Sequence, residues 1–308
     1  MGAMDWGIHL PHLGRQASRQ ALLDFARHAD DLGFHSGWVS DHIAWPKEIH
    51  SKYPYTDDGS FAPPPDMPWL DPIGTLFFVA ACTERLQLGG TVLILGYRPP
   101  MLTAKAMASL DVLSGGRAIL GVGVGWMKEE FDVLGMPYDH RGKRADEQLA
   151  LFEQVFTEPA PSFRGEFYDV PEIGFEPKPV NGHIPVWVGG DTEPAFRRVV
   201  RSGDAFHAAF QTVADVDAAW RRIGELLDEA GRDRAAVRLS VRLYLDPGEQ
   251  MTASKSIGGS NAKMVDTIGA WSAIGVDHIL LDPVAPGGVA GRRAAMEAFM
   301  TEVAPQVT

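Results

Sequence analysis

The sequence predicts a single α/β domain over residues 1–308, built as a (β/α)8 barrel of the TIM type. Three observations carry this prediction. Strand-like apolar segments alternate with amphipathic helical segments eight times, the spacing is that of barrel units rather than of a doubly wound sheet, and no domain linker or low-complexity tract interrupts the rhythm. Insertions are expected at about 44–70, 157–182 and 246–260.

The elements follow in order. Asp5 to Leu10 is a short strand closed by Pro11. From Ser18 to Gly33, Leu22, Phe25, Ala26 and Ala29 fall on one helical face, with Ser18 as N-cap and Gly33 as the stop. The second strand ends at His42. Residues Ala44 to Leu70, rich in Pro, Tyr, Trp and Asp, are too long for a plain connection and read as a lid or binding loop. A helix over Asp71 to Thr83 leads to a third strand over Leu86 to Leu95. Pro99 and Pro100 then open a helix that the Gly115 and Gly116 pair ends. The fourth strand begins at Arg117, and its crossover is completed by the amphipathic segment Arg141 to Phe156. Pro161 to Val170 reads as a hairpin around Arg164 and Gly165. Strands follow at Pro185 to Gly190, Ala205 to Phe210, Val237 to Leu245 and Asp277 to Pro283. Helices alternate with them, the last running from Arg292 to Val303. Asp246 to Ser260 reads as a Gly/Ser-containing loop.

Composition bounds the function. The chain is 45% apolar and 22% charged, with no apolar run long enough to span a bilayer and no signal-peptide pattern, so a soluble, cytoplasmic protein without a membrane partner is expected. The opening Met1 to Met4 is given no structural weight. A formal charge of −12 argues against nucleic acid as a partner. The one cysteine, Cys82, lies in an apolar run and reads as a buried, inert thiol.

Arg117 to Phe131, RAILGVGVGWMKEEF, is the stretch around which the chain is organised. Alternation places Ala118, Leu120, Val122 and Val124 on one face and Ile119, Gly121, Gly123 and Gly125 on the other. Interior glycines weaken a strand, so either a bound ring system approaches this backbone or the glycines make room for packing inside the barrel; both readings stay open here. A dinucleotide fingerprint is disfavoured, because the run is G-x-G-x-G followed by Trp126 and is not the first βα turn.

The active site of a parallel barrel lies at the C-terminal ends of its strands. Those ends carry Asp41 and His42; Gly90, Thr91 and Val92; Gly125 and Trp126; Gly189, Gly190, Asp191 and Thr192; and His9, His12 and His207. Adjacent Asp41 and His42 could move a proton, with a nearby carboxylate holding the imidazole tautomer; alternatively Asp41 caps the loop and His42 packs on Trp38 or Trp45. The turn at Gly189 and Gly190 before Pro194 leaves N–H groups free at a helix start, a ready phosphate site, unless Asp191 or Thr192 merely caps the helix. Arg197, Arg198 and Arg201 could help hold an anion there. The ten histidines show no metal-ligand spacing, so no metal is expected.

Four stretches together resemble the bacterial luciferase-like family, and particularly its coenzyme F420-dependent branch: Trp38 to His42, Thr91 to Arg117, Gly121 to Phe131 and Pro185 to His207. The similarity spans nearly the whole chain. The resemblance implies a TIM-like barrel that binds F420 or FMN over the strand ends and acts on a small-molecule substrate, as a homodimer. It implies that Asp41 contacts the cofactor and that His42 assists proton transfer during hydride transfer at the deazaflavin C5. It also implies a bulge around Gly90 to Val92, often with a non-proline cis peptide, behind the ring, a cofactor-lining Gly123 and Gly125, and a phosphate turn at Gly189 and Gly190. One departure stands out: Trp126 occupies the position where sugar-phosphate dehydrogenases of this branch carry a catalytic Glu. The lead expectation is therefore an F420-dependent oxidoreductase, beside an FMN-dependent monooxygenase and a non-catalytic flavin-binding relative.

Overall fold

The structure, a computed structural model, describes residues 4–56 and 58–307. Met1 to Ala3 lie outside the described residues. Eight parallel strands form a closed barrel: β1 (Asp5–His9), β2 (Ser36–Val39), β3 (Gln87–Gly90), β4 (Ala118–Gly123), β5 (Val186–Gly189), β6 (Ala205–Ala209), β7 (Arg238–Asp246) and β8 (His278–Pro283). Each pairs with the next, and β8 returns to pair with β1. The main helices are α1 (Arg19–Asp31), α2 (Pro72–Ala80), α3 (Pro100–Ser114), α4 (Lys128–Leu134), α5 (Arg141–Thr157), α6 (Glu193–Ser202), α7 (Val213–Glu229), α8 (Asn261–Ala273) and α9 (Val289–Ala298). Their ends follow the local chemistry that the sequence displays. Ser18 Oγ accepts from the Ala21 N–H at the start of α1, and Gly115, in the left-handed region at φ +72°, ends α3.

A closed parallel barrel buries its strands on both faces. In β4 all six residues are buried, with Ala118, Leu120 and Val122 in the main core and Ile119 packed with Trp38, Trp187, Ala205 and Leu280 inside the barrel. The interior also holds a polar chain. The Trp38 indole donates to Ser36 Oγ (2.8 Å), which meets His278 Nε2 (2.9 Å); Ser240 Oγ lies 2.8 Å from both His278 Nδ1 and His207 Nδ1; and His207 Nε2 meets Thr91 Oγ1 (2.9 Å). Burial pushes His207 down to about 3 and His278 well below its ordinary value, so both rings are neutral. Every ring nitrogen in this chain has a partner, which removes the penalty for burying it.

The glycine face of β4 is filled by the protein itself. A Cβ on Gly121 would lie 1.9 Å from the Gly90 carbonyl oxygen, and one on Gly123 would lie 2.4 Å from Val92 Cγ2. Packing thus accounts for the missing side chain at Gly121, and Val92 fills the space beside Gly123. The space is needed because the third strand is broken: β3 stops at Gly90, the Thr91–Val92 peptide is cis, and Leu93–Ile94 resumes pairing with β4.

The hairpin forms where expected, with strands Phe163–Arg164 and Asp169–Val170, and its turn, closed by the Gly165 N–H to Tyr168 carbonyl bond, is centred on Glu166 and Phe167. Two further readings change. The 246–260 segment is not all loop, since Ser256–Gly258 adds in parallel to β7. Cys82 is half-buried rather than buried.

Candidate active site

A cavity of about 900 Å³ opens at the C-terminal mouth of the barrel. Asp41, His42, Thr91, Val92, Gly123, Gly125, Trp126, Gly189, Gly190, Asp191 and Thr192 all border it, as do His9 and His207. Gly90 does not: it is buried beneath Leu93, with its carbonyl turned against Gly121.

His42 is held from behind. Its Nδ1 lies 2.6 Å from Glu130 Oε2, and Glu130, fully buried on α4, also accepts from the Tyr97 hydroxyl (2.8 Å) and from the Ile43 and Ala44 N–H groups (2.6 and 3.1 Å). Burial alone would raise the Glu130 carboxyl, but the hydrogen bonds from His42, Ile43 and Tyr97 hold it below its ordinary value. The ionised carboxylate accepts only, so His42 carries its proton on Nδ1. Nε2 has no protein partner among the described residues. Around the imidazole stand Trp45, Phe61, Trp69 and Trp126, with ring centroids 5.0 to 6.2 Å away.

One expectation is thereby corrected. The carboxylate that fixes the His42 tautomer is not Asp41, whose two oxygens are taken by a bidentate Arg98 (2.7 and 3.0 Å) and by the Ile94 N–H (2.9 Å). Of the two tryptophans expected beside His42, Trp45 stands there, 5.6 Å away edge-on, and Trp38 lies inside the barrel. Glu130 was not singled out in the sequence. Its signal was present, since Glu129 and Glu130 both open α4 immediately after the glycine strand. Glu129 accepts from the His50 and Ser51 N–H groups, so the two neighbouring carboxylates tie the long 40–70 loop to α4.

At the opposite side, Gly190 (φ +119°) turns the chain into α6, whose N-cap Thr192 makes no side-chain capping bond. The first N–H groups of α6 are therefore unserved by Asp191 or Thr192, which suits an anion. Arg197 pairs with Glu193, while Arg198, which borders the cavity, and Arg201 pair with Asp146. Arg141 and Lys143, at the start of α5, also border the cavity.

The sequence model of a family described as luciferase-like monooxygenase matches residues 4–256. The chain belongs to the luciferase-like monooxygenase family. As a member it is an oxidoreductase of the kind that works with a flavin or deazaflavin. Among luciferase-like relatives, the Mycobacterium tuberculosis protein Rv0940c is 36% identical over 219 residues, covering 69% of this chain and 75% of the relative. The F420-dependent glucose-6-phosphate dehydrogenase of Kineococcus radiotolerans is 29% identical over 255 residues, covering 78% and 70%. Two solved structures share the fold. An F420-dependent secondary alcohol dehydrogenase with an F420-acetone adduct superposes with a TM-score of 0.81 at 16% identity, over the whole of both chains. The oxygenating component of 3,6-diketocamphane monooxygenase from Pseudomonas putida, with FMN, gives 0.75 at 16%, covering 100% of this chain and 99% of that one. No described helix of this luciferase-like chain is long and apolar enough to cross a membrane.

Proposed function

We propose that the chain is an F420-dependent oxidoreductase that moves a hydride between the deazaflavin and a small organic substrate, with His42 exchanging the accompanying proton. The observation that carries this reading is the His42–Glu130 pair on the wall of the cavity. The residues fit the cofactor: the cavity has room for ring and substrate, Val92 offers an apolar backing at the strand break, and the uncapped start of α6 offers donors for a phosphate. When bound, the ring supplies the hydride acceptor or donor.

The chain's own residues do the rest. Glu130 keeps the His42 proton on Nδ1, so Nε2 presents a lone pair to the cavity and takes up a proton as the substrate is oxidised. The buried carboxylate stabilises the imidazolium that forms, and the same proton returns in the reverse direction. Trp45, Phe61, Trp69 and Trp126 exclude water around the imidazole, which strengthens the pair. Trp126 supplies no second carboxylate, so proton exchange falls to His42, and glucose 6-phosphate is not the proposed substrate. Conversion of an FMN-dependent monooxygenase type is the second reading, favoured by the FMN complex among the structures of this fold. We further propose a cytoplasmic homodimer with no nucleic-acid or membrane partner.

The test is a screen of secondary alcohols, ketones and unsaturated carbonyl compounds for a change in F420 absorbance, run beside reduced FMN with oxygen. Turnover with F420 supports the reading; turnover with FMN alone replaces it with the second.

A further inference from the structure

One corner of the cavity is cationic and rich in hydrogen-bond donors, and neither the hydride nor the proton step above uses it. Arg242, on β7, donates through Nη2 to Asp282 Oδ2 (2.5 Å) and makes only long contacts through Nη1, at 3.2 Å to both Ser40 Oγ and the Thr91 carbonyl. Arg292, on α9, donates to the His9 carbonyl (3.2 Å) and lies 3.7 Å from Asp282 Oδ1. The Nε groups of both arginines are buried with no partner among the described residues. Burial would raise the Asp282 carboxyl, but His9, Arg242 and Arg292 around it hold it well below the carboxylate range. Burial pushes His9 well below its ordinary value and His12 down to about 4, so both are neutral near pH 7. Two guanidiniums against one carboxylate leave one positive charge.

Aromatic surface flanks this corner. Tyr244 stacks on Phe210 with centroids 4.4 Å apart, and the Arg242 guanidinium lies 4.9 Å from the Phe210 ring. Tyr53 and Tyr55 descend from the long loop, and Tyr55 meets Phe210 edge-on at 6.1 Å. Among the described residues, the hydroxyls of Tyr53, Tyr55 and Tyr244 have no protein partner. Burial pushes the phenols of Tyr55 and Tyr244 up to about 12, so they stay protonated donors. The remaining carboxylate bordering this side is Asp191, beyond Tyr55.

We propose that this corner is a substrate subsite for a single carboxylate carried on a flat, apolar body, with Arg242 and Arg292 supplying the charge and the three tyrosines the enclosing donors and faces. A buried excess charge is costly without a counter-ion, and one positive charge matches a monoanion better than a phosphate dianion. The proposal names the substrate class for the redox reading above and rests on it, but its test does not need turnover.

Calorimetric titration of the full chain with naphthalene-2-carboxylate and with naphthalene-2-carboxamide separates charge recognition from shape. The acid is expected to bind at least about tenfold more tightly than the amide, the scale of one charge-assisted hydrogen bond. Arg292→Gln and Tyr244→Phe should each weaken the acid severalfold and leave the amide unchanged; both spare the Arg242 contacts to Ser40 and Thr91. Equal affinities for acid and amide, no binding of either, or a preference that survives both variants would overturn the subsite. So would displacement of the acid by inorganic phosphate, which would place it at the start of α6, or by F420, which would assign the arginines to the ring. Failure of F420 to bind, with the acid preference intact, would remove the cofactor reading and leave the subsite standing.

Discussion

Glu130→Gln should switch the tautomer of His42 while keeping its shape. In the native protein Glu130 Oε1 accepts two backbone N–H groups and Oε2 accepts from His42 and Tyr97. An amide must place its oxygen toward Ile43 and Ala44, which turns its NH2 toward His42. Nδ1 then becomes an acceptor and the proton moves to Nε2, on the cavity side. Hydrogen bonds to a charged group are worth about 1.5–3 kcal/mol, so the protonated imidazole loses roughly 10- to 150-fold in relative stability. Proton transfer by a positioned group contributes roughly 10²- to 10⁴-fold, and the variant should lose about 10²-fold of it in single-turnover hydride transfer. The direct assay is nitrogen NMR of the His42 ring, which distinguishes the Nδ1–H from the Nε2–H form without any substrate. The stability difference between wild type and variant should also depend on pH. A carboxyl held below its unfolded value, about 4.3, contributes stability that is present above that value and lost as pH falls through the folded one. The melting-temperature gap should therefore be largest near neutrality and close in acid. A wild-type His42 found as the Nε2–H tautomer, or the same tautomer in both proteins, refutes the reasoning.

Other perturbations separate the remaining parts of the account. His42→Ala should bind F420 nearly normally, because on the proposed reading backbone groups and the start of α6 would hold the cofactor, and should transfer hydride roughly 10²- to 10⁴-fold more slowly in stopped-flow measurement; unchanged rates would remove His42 from the mechanism. Gly121→Ala places a methyl 1.9 Å from the Gly90 carbonyl and should cost about 3 kcal/mol, visible in denaturant unfolding, whereas an unaltered midpoint would contradict the packing role. Gly190→Val strains a φ of +119° and crowds Ala195, so it should weaken cofactor affinity with little loss of fold, read by equilibrium titration. Exposed Leu102, Val112 and Leu113 on α3 support a dimer through helices of the first half of the barrel, and sedimentation at micromolar concentration should show one; a monomer would count against it.

The barrel was legible because its signals are local. Strand alternation, helix caps such as Ser18 and stops such as Gly115 act within a few residues, and the eightfold rhythm then leaves little choice of topology. The mouth was legible for the same reason, since strand C-termini are fixed by chain order. What escaped depends on contacts across long stretches of sequence. Asp41 and His42 are adjacent, yet their partners are Arg98, 57 residues on, and Glu130, 88 residues on from His42. Alternation along the strand correctly placed Gly121 and Gly123 on one face but could not reveal that the broken third strand fills it. The arginines after Gly190 looked like anion ligands in sequence; Asp146, brought in by α5, engages two of them.

Equilibrium titration of the purified chain with F420 and with FMN tests the central claim most directly. The account predicts saturable F420 binding at micromolar concentration or below, at least about tenfold tighter than FMN, retained in His42→Ala. Tighter binding of FMN, or binding of neither cofactor, would contradict it.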